Sequence, residues 1–170
     1  MQRIAQFTMV SFEQFCKDWK DTFPEDTSDL REVYEAIRLP KRATSGSAGY
    51  DFYLPKAITL APGKGIKIPT GVRVWMQEGW VLQCFPRSGL GFKFRLQLDN
   101  TVGIIDSDYF GSDNEGHIFV KLTNDSRLEK TVSLAAGDAF MQAIFLPFGI
   151  TVDDDATAKR NGGFGSTSAK

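Results

Sequence analysis

The sequence predicts an all-β protein, an antiparallel sandwich or barrel, with a small helical insert near its N-terminus. Beyond residue 40 the chain divides into short β-branched and aromatic runs that Gly, Pro, Asn and Asp separate. Many short strands at this spacing are typical of antiparallel sheets, whereas alternating strands and helices would give longer periodic segments. We expect one domain, residues 1–170, with a helical insert (11–38), a β core (40–148) and a flexible C-terminal arm (149–170).

Composition excludes several classes of protein. A chain of 170 residues can bury about 70% of its unfolded surface, so it needs no metal or disulfide to fold. Twenty Lys and Arg residues against 21 Asp and Glu leave a net charge of -1, which argues against nucleic-acid and membrane partners. Cys16 and Cys84 match neither a disulfide framework nor a zinc site. With no long apolar run and no signal-peptide pattern, we expect a cytoplasmic protein.

The insert is predicted to contain two helices after a short first strand at Gln6–Val10. Ser11 with Gln14 three residues later is a capping-box pattern, so a helix should run from there to about Phe23. Charged residues, Asp18 among them, fall away from the apolar face, which is typical of an amphipathic surface helix. That apolar face comprises Phe12, Phe15, Cys16 and Trp19.

A second helix is expected from a cap at Thr27 or Ser28 to about Ile37. Between residues 13 and 35 there are eight acidic residues and three basic ones. This balance favours a solvated helical pair beside the β core. The alternative is a partner surface or a lid, so a protein partner at the insert stays open.

The β core is predicted from runs that are too short for helices and are bounded by turn residues. The region between residues 86 and 91 has the composition of a loop, because it contains Pro and two Gly residues. The expected strands are 50–54, 58–60, 65–68, 72–76, 80–85, 94–98, 102–105, 117–122, 131–134 and 139–145.

A catalytic acid is predicted where the strand Val102–Ile105 ends. Asp106, Asp108 and Tyr109 follow the strand at once, and Gly111 closes the segment. A rigid strand holds the carboxylates at a defined edge, as catalysis requires. The alternative is an ordinary Asp-rich turn, since Asp and Ser favour turns.

Further candidates lie in segments that resemble loops. Arg87, Ser88 and Gly89 offer a guanidinium, a hydroxyl and open backbone N–H groups for phosphate, although Ser and Gly also make ordinary turns. Asp51 follows a glycine and can equally be a turn residue. Gln142 places an amide in a strand suited to burial, where it must find a partner.

The C-terminal tail combines four glycines with Arg160 and Phe164. This composition does not suit packing, but it suits a segment that closes over an anionic, aromatic ligand. Together with the acids and the glycine loops, it predicts a site for a nucleoside phosphate and a divalent ion. Mg²⁺ prefers carboxylate and phosphate oxygens.

With these segments in order, the chain resembles the trimeric-type deoxyuridine triphosphatases (dUTP diphosphatases). The resemblance covers roughly residue 40 to the C-terminus and leaves the helical insert outside. It implies a jelly-roll-like subunit, a homotrimer with shared active sites, and Mg²⁺-dependent hydrolysis of dUTP to dUMP and pyrophosphate. That reaction limits uracil incorporation into DNA and supplies dUMP for dTMP synthesis. Five motifs carry the resemblance: Ala48–Asp51, Arg87–Gly89, Gly103–Gly111, Gly137–Gln142 and Gly163–Thr167.

The resemblance also implies roles for single residues. Asp106 corresponds to the aspartate that activates the attacking water, and Tyr109 to the aromatic beneath the deoxyribose. Asn100 and Gly103 fall in the hairpin whose backbone reads uracil. The remaining correspondences are Arg87, Ser88, Gly89 and Gln142 at the phosphates, Asp51 in the outer shell of the metal, and Arg160, Phe164, Gly165 and Ser166 in the arm over the substrate.

Two departures and two other readings accompany this resemblance. Ala139 stands where the family usually has an arginine, which implies a different ion-pair arrangement, and Asn161 stands where glycine is common.

A dCTP deaminase has similar strands but lacks the glycine-rich arm. A nucleotide-gated regulatory protein would use the same pocket as a switch and the insert as a contact surface.

Overall fold

Antiparallel strand pairing dominates the computed structural model, which describes residues 2–158 and residue 160. The strands are β1 (Ala5–Met9), β2 (Lys41–Arg42), β3 (Tyr50–Tyr53), β4 (Ile58–Leu60), β5 (Gly65–Pro69), β6 (Val72–Met76), β7 (Trp80–Pro86), β8 (Leu96–Leu98), β9 (Gly103–Asp106), β10 (Phe119–Asn124), β11 (Val132–Leu134) and β12 (Ala139–Pro147). The helices are α1 (Phe12–Thr22), α2 (Leu30–Glu35), α3 (Ser88–Phe94) and a 3₁₀ helix at Ser107–Gly111.

The strands form separate sheets around one apolar core. The largest sheet has the order β2-β3-β12-β7-β9, and a second has the order β5-β10-β8. The pairs β1-β6 and β11-β4 complete the arrangement. Alternation is clear in β6, where Val72, Val74 and Met76 are buried while Trp75 is exposed. The prediction of an all-β fold is confirmed, and no helix among the described residues is long and apolar enough to span a membrane.

Helix α1 begins as expected, but only half of the capping box forms. The Ser11 hydroxyl accepts a hydrogen bond from Gln14 N at 3.1 Å. The reciprocal bond is absent, because Ser11 N donates to Glu115 Oε2 at 2.7 Å and the Gln14 amide donates to Asp18. The acidic residue that completes this cap thus comes from the β core, which fixes the start of the insert.

Helix α2 is shorter than predicted and has a different cap. Asp29, not Thr27 or Ser28, caps the helix, and its carboxylate accepts hydrogen bonds from the backbone N–H groups of residues 31 and 32. The helix ends at Glu35. Asp is as good a cap as Ser, so the sequence offered three adjacent candidates and no means of choosing among them.

The apolar face of helix α1 is buried where the insert contacts the β core. Phe15 and Trp19 are fully buried together with Val10, and side chains of α2 pack against them. Gly71, with φ +73°, lies under Ile37, whose side chain occupies the space a Cβ at this position would need. Most acidic residues of the insert remain exposed, as predicted, but Asp18 is buried.

The segment after β7 is a helix, where the sequence predicted a loop. Helix α3 spans Ser88–Phe94 and ends at Arg95, whose φ is +52°, so β8 begins only at Leu96. Glycine has low helix propensity, and two glycines in seven residues concealed the helix. Leu90 and Phe94 pack against the core, and this tertiary contact outweighs the local preference.

Candidate functional site

The predicted catalytic acid lies at the end of a paired strand. Asp106 is the last residue of β9, and its backbone is opposite Val81 of β7. The chain turns at once into the 3₁₀ helix, which carries Asp108 and Tyr109. The strand and the short helix therefore fix the positions of two carboxylates and one ring.

Arg160 lies against these two carboxylates. Its guanidinium forms an ion pair and a hydrogen bond with the Asp106 carboxylate. Its Nε lies 3.1 Å from Asp108 Oδ1 but outside hydrogen-bond geometry, so that contact is electrostatic. The Asp106 side chain is 42% exposed, so water or a ligand can still reach it.

A cavity of about 710 Å³ opens beside these residues. Lys67 and Lys121 give it a basic side, while Ile118 and Met141 give it an apolar one. Its size suits a small-molecule ligand. The sequence-predicted residues on its lining, here called the Asp106 cluster, are Asn100, Gly103, Asp106, Tyr109 and Arg160.

Close backbone packing shapes the floor of this cavity. Gly103 lies opposite Cys84, and a Cβ added at Gly103 would come within 3.1 Å of the Cys84 Cβ. Burial raises the pKa of the Cys84 thiol to about 12, so this sulfur stays protonated and is not a nucleophile. Asn100 lies in the turn between β8 and β9, which belong to different sheets, so the predicted hairpin is a crossover between sheets.

Tyr109 is held by hydrogen bonds at its hydroxyl. The hydroxyl donates to the backbone oxygen of His117 at 2.7 Å and accepts from the Asn114 amide at 2.8 Å. The residue is 5% exposed, and burial raises the pKa of its phenol, so the hydroxyl remains a donor. The ring therefore has a fixed position at the cavity wall.

Gly116 lets the chain close tightly around this 3₁₀ helix, and we expect Gly116→Ala to destabilise the protein. Its φ is +72°, and an added Cβ would lie 2.7 Å from Phe110 Cα and 2.8 Å from Tyr109 O. These are backbone atoms, so the helix must move. The expected cost is about 2–4 kcal/mol, or roughly 5–10 °C in melting temperature by calorimetry.

Gly63→Ala is the matched control. Gly63 has a similar φ of +75°, but nothing lies within 4 Å of its added Cβ. Gly63→Ala therefore introduces the same backbone strain as Gly116→Ala, but no steric clash with neighbouring atoms. Equal melting temperatures for the two variants would contradict the steric argument.

A second group of predicted residues, here called the Arg87 cluster, comprises Asp51, Arg87, Ser88, Gly89 and Gln142. Arg87 Nε lies 3.0 Å from Asp51 Oδ1, and Gln142 pairs with Asp51 across β12 and β3. The Gln142 amide donates to Pro86 O at 3.3 Å, which satisfies the partner requirement predicted for it. A cavity of about 440 Å³ adjoins Arg87, Ser88 and Gly89.

The position of Ala139 shows how this chain differs from the usual motif. Ala139 O accepts a hydrogen bond from the Arg87 guanidinium at 3.3 Å. Another arginine, Arg38 at the end of the insert, donates to Gly137 O at 3.0 Å and lies over the Tyr53 ring. An arginine from a distant part of the chain therefore reaches this turn.

Asp106 and Asp51, the acids of the two clusters that are predicted to act in one site, lie far apart within one chain. Asp106 is opposite Val81 on β7, whereas Asp51 is level with Phe85, three strands away from β9. Four residues along a strand and three strand spacings correspond to roughly 20 Å. Phe164, Gly165 and Ser166 lie outside the described residues.

Sequence reasoning missed two residues behind the cavity. His117 and Asp18 are buried and joined by a hydrogen bond of 2.5 Å, and His117 O holds Tyr109. A signal in the sequence that could have pointed to His117 is that it is the single histidine of the chain. Asp108, which Arg160 contacts, was visible only as a neighbour of Asp106.

The fold and the two clusters define a class of protein. This is an all-β protein that carries carboxylates and arginines at two open cavities. Such groups suit an anionic ligand that bears phosphates, since arginine binds phosphate oxygens in a bidentate manner.

The comparisons with known proteins identify the family. A family model described as dUTPase matches residues 35–168. The deoxyuridine 5'-triphosphate nucleotidohydrolase of Lactococcus lactis subsp. lactis is 42% identical over 136 residues, which cover 78% of this chain and 89% of the relative. The chain therefore belongs to the dUTPase family. The family match begins after most of the helical insert, in agreement with the sequence prediction.

Solved structures agree with this assignment. The Streptococcus mutans dUTPase is 36% identical, with a TM-score of 0.62 over 85% of this chain and 97% of that one. A mutant dUTPase from phage phi11 of S. aureus, described as coordinating a structural Mg(II) ion, has a TM-score of 0.63. It covers 92% of this chain and 98% of its own, but at 19% identity it supports the fold alone.

Proposed function

We propose that this chain hydrolyses dUTP to dUMP and pyrophosphate. The proposed site is formed by the residues of the Asp106 cluster together with those of the Arg87 cluster. The observation that carries the proposal is the ion-paired Asp106 at the end of β9, beside the buried Tyr109. This is a carboxylate in a fixed position that solvent can still reach. Membership of the dUTPase family supplies the substrate.

In the proposed reaction, water attacks the α-phosphorus of dUTP. Asp106 orients that water and takes its proton, and the bond from the α-phosphorus to the bridging oxygen breaks, so pyrophosphate leaves. Arg160, which pairs with carboxylates in the chain without substrate, can exchange them for phosphate oxygens. Tyr109 would lie beneath the deoxyribose and leave no room for a 2'-hydroxyl, while Asn100 and Gly103 would border the uracil.

The Arg87 cluster is proposed to bind the phosphates. Arg87 supplies a guanidinium, Ser88 a hydroxyl and Gln142 an amide. Gly89 is informative, because an added Cβ there would meet nothing within 4 Å. Neither packing in this chain nor a positive φ requires the glycine, so close approach of a ligand to the backbone is a reason for it. Phe164, Gly165 and Ser166 would close over the bound nucleotide.

We infer a homotrimer whose sites are shared between subunits. Asp106 and Asp51 must both serve one nucleotide, yet these two carboxylates lie roughly 20 Å apart in one chain. A second copy can bring its Arg87 cluster to the Asp106 cluster of the first. Exposed apolar side chains beside both clusters, Ile104 and Phe92, would be covered in such an assembly.

Mg²⁺ fits this site if it arrives with the triphosphate. Among residues 2–158 and 160, no group of three or more His, Cys, Asp or Glu side chains could hold a metal ion unaided. Mg²⁺ commonly keeps several waters and binds through one or two carboxylates and substrate phosphates. Asp51 would hold its water shell. The ion would neutralise charge on the phosphates.

A pyrophosphate-release assay tests this function. We expect release from dUTP with Mg²⁺, and at least about 10²-fold less from UTP, dTTP and dCTP, because a site built to fit one sugar and one base rejects the others. Light scattering of the same sample gives the number of subunits. Equal release from UTP would contradict the proposed role of Tyr109. Ammonia release from dCTP would instead identify a deaminase.

A further inference from the structure

We propose that the N-terminal helical insert positions Tyr109 for catalysis, through Asp18 and His117. This inference rests on the proposed function, because it assigns Tyr109 to the sugar of the nucleotide. Asp18 and His117 would be positioning residues that do not touch substrate themselves.

The first link joins α1 to the β core through a buried pair. Asp18 Oδ2 lies 2.5 Å from His117 Nδ1, and His117 is fully buried. Gly71 N donates to His117 Nε2 at 2.8 Å, so Nε2 carries no proton and Nδ1 donates to Asp18. Burial raises the pKa of Asp18, but hydrogen bonds from His117 and Gln14 outweigh this effect. The pKa of Asp18 is therefore lowered, and the carboxylate is charged at neutral pH.

The second link joins His117 to the cavity. Its backbone oxygen accepts the hydrogen bond from the Tyr109 hydroxyl, and the Asn114 amide supports both groups. Because the imidazole is tied at both nitrogens, its own backbone has a fixed position. The side chain of Asp18 thus helps to hold the acceptor to which Tyr109 is anchored.

A parallel contact ties the start of α1 to the same segment. Ser11 bonds to the Glu115 carboxylate through its N and Oγ atoms, at 2.7 and 2.6 Å. Arg73 lies 3.7 Å from that carboxylate and donates to Phe110 O at 2.7 Å. Residues 110–117 are therefore held between the insert and β6. The insert therefore contacts this segment at two separate points, Ser11 and Asp18.

The effect of this arrangement is on geometry at the sugar. A displacement of about 1 Å at a positioning group can cost up to about 10²-fold in rate, even when the chemical groups remain. Loss of the Asp18 anchor should therefore alter substrate recognition more than it alters the attack on phosphorus. Discrimination between dUTP and UTP is the property most directly tied to the position of the Tyr109 ring.

The test compares Asp18→Ala with two matched variants. Asp18→Asn keeps an oxygen that can accept the Nδ1 proton. Asp26→Ala removes another carboxylate of the insert, which pairs with Lys56 of the core away from the cavity. It weakens the docking of the insert but leaves residues 107–118 untouched.

We expect Asp18→Ala to raise KM for dUTP and to lower the ratio of kcat/KM for dUTP to that for UTP, each about tenfold. Asp18→Asn should retain most of the parental ratio, and Asp26→Ala should retain all of it. Amide hydrogen exchange in residues 107–118 of the ligand-free protein should accelerate in Asp18→Ala only.

A parental dUTP to UTP ratio in folded Asp18→Ala would overturn the proposal, as would equal changes in Asp18→Ala and Asp26→Ala. The hydrogen-exchange measurement requires no turnover. If the parent itself released no pyrophosphate from dUTP, the proposed function would fail, while unchanged exchange in Asp18→Ala would refute the positioning link separately.

Discussion

Replacing Asp106 by Asn should reduce turnover of dUTP at least about 10²-fold while the protein still folds and binds nucleotide. An amide of the same size can fill the place at the end of β9, but it cannot accept the proton of the attacking water. Arg160 would keep a hydrogen-bond acceptor but lose one of the two carboxylates that it contacts. Steady-state pyrophosphate release gives the rate, and calorimetry with a non-hydrolysable dUTP analogue gives the affinity.

Asp108→Asn is the matched control, because Asp108 is the other carboxylate beside Arg160. We expect a much smaller loss of turnover from it, since its side chain is more exposed and its contact with Arg160 is only electrostatic. If Asp106→Asn kept the parental rate while Asp108→Asn lost it, the roles of the two residues would be reversed.

Mixing two inactive variants should restore activity. Asp106→Asn lacks the proposed base, and Arg87→Ala lacks a phosphate ligand of the other cluster. If each site takes Asp106 from one subunit and Arg87 from its neighbour, trimers assembled at random from the two variants contain some sites in which both residues are present. A one-to-one mixture would have about one intact site in four, so activity should approach about a quarter of the parental value.

Subunit exchange must be verified for this experiment, for example by refolding the two chains together with different tags. Each variant refolded alone is the control and should stay inactive. If mixed trimers formed and no activity returned, Asp106 and Arg87 of the same subunit would have to act together. That outcome would require a conformational change within the subunit.

The sequence was sufficient for the all-β class and for most strands, because alternation and turn residues are local signals. Val72–Met76 and Ile58–Leu60 were predicted with the bounds that the structure has. Helix α3 was missed because its stability comes from packing of Leu90 and Phe94, not from its glycine-rich sequence.

Residues whose roles depend on distant partners were the hardest to predict. Asp18 lies among charged residues of a surface helix, and nothing local indicates that it is buried against His117. Motif order predicted a single site for these residues, but not that they divide into two groups within one chain. The role of Phe164 in the arm over the substrate stays a prediction.

The contacts between the insert and the core also determine the order in which the protein can fold. Asp18 and His117 are 99 residues apart in sequence, and Ser11 and Glu115 are 104 apart. Protein synthesis adds about 5–20 residues per second, so α1 must wait roughly 5–20 s before its partners emerge from the ribosome. During that time the aromatic face of α1, with Phe15 and Trp19, has nothing from residues 107–118 to pack against. The docking of the first helix onto residues 107–118 is therefore a late event in folding, and a chain truncated before residue 115 would leave Ser11 and Asp18 without these two partners.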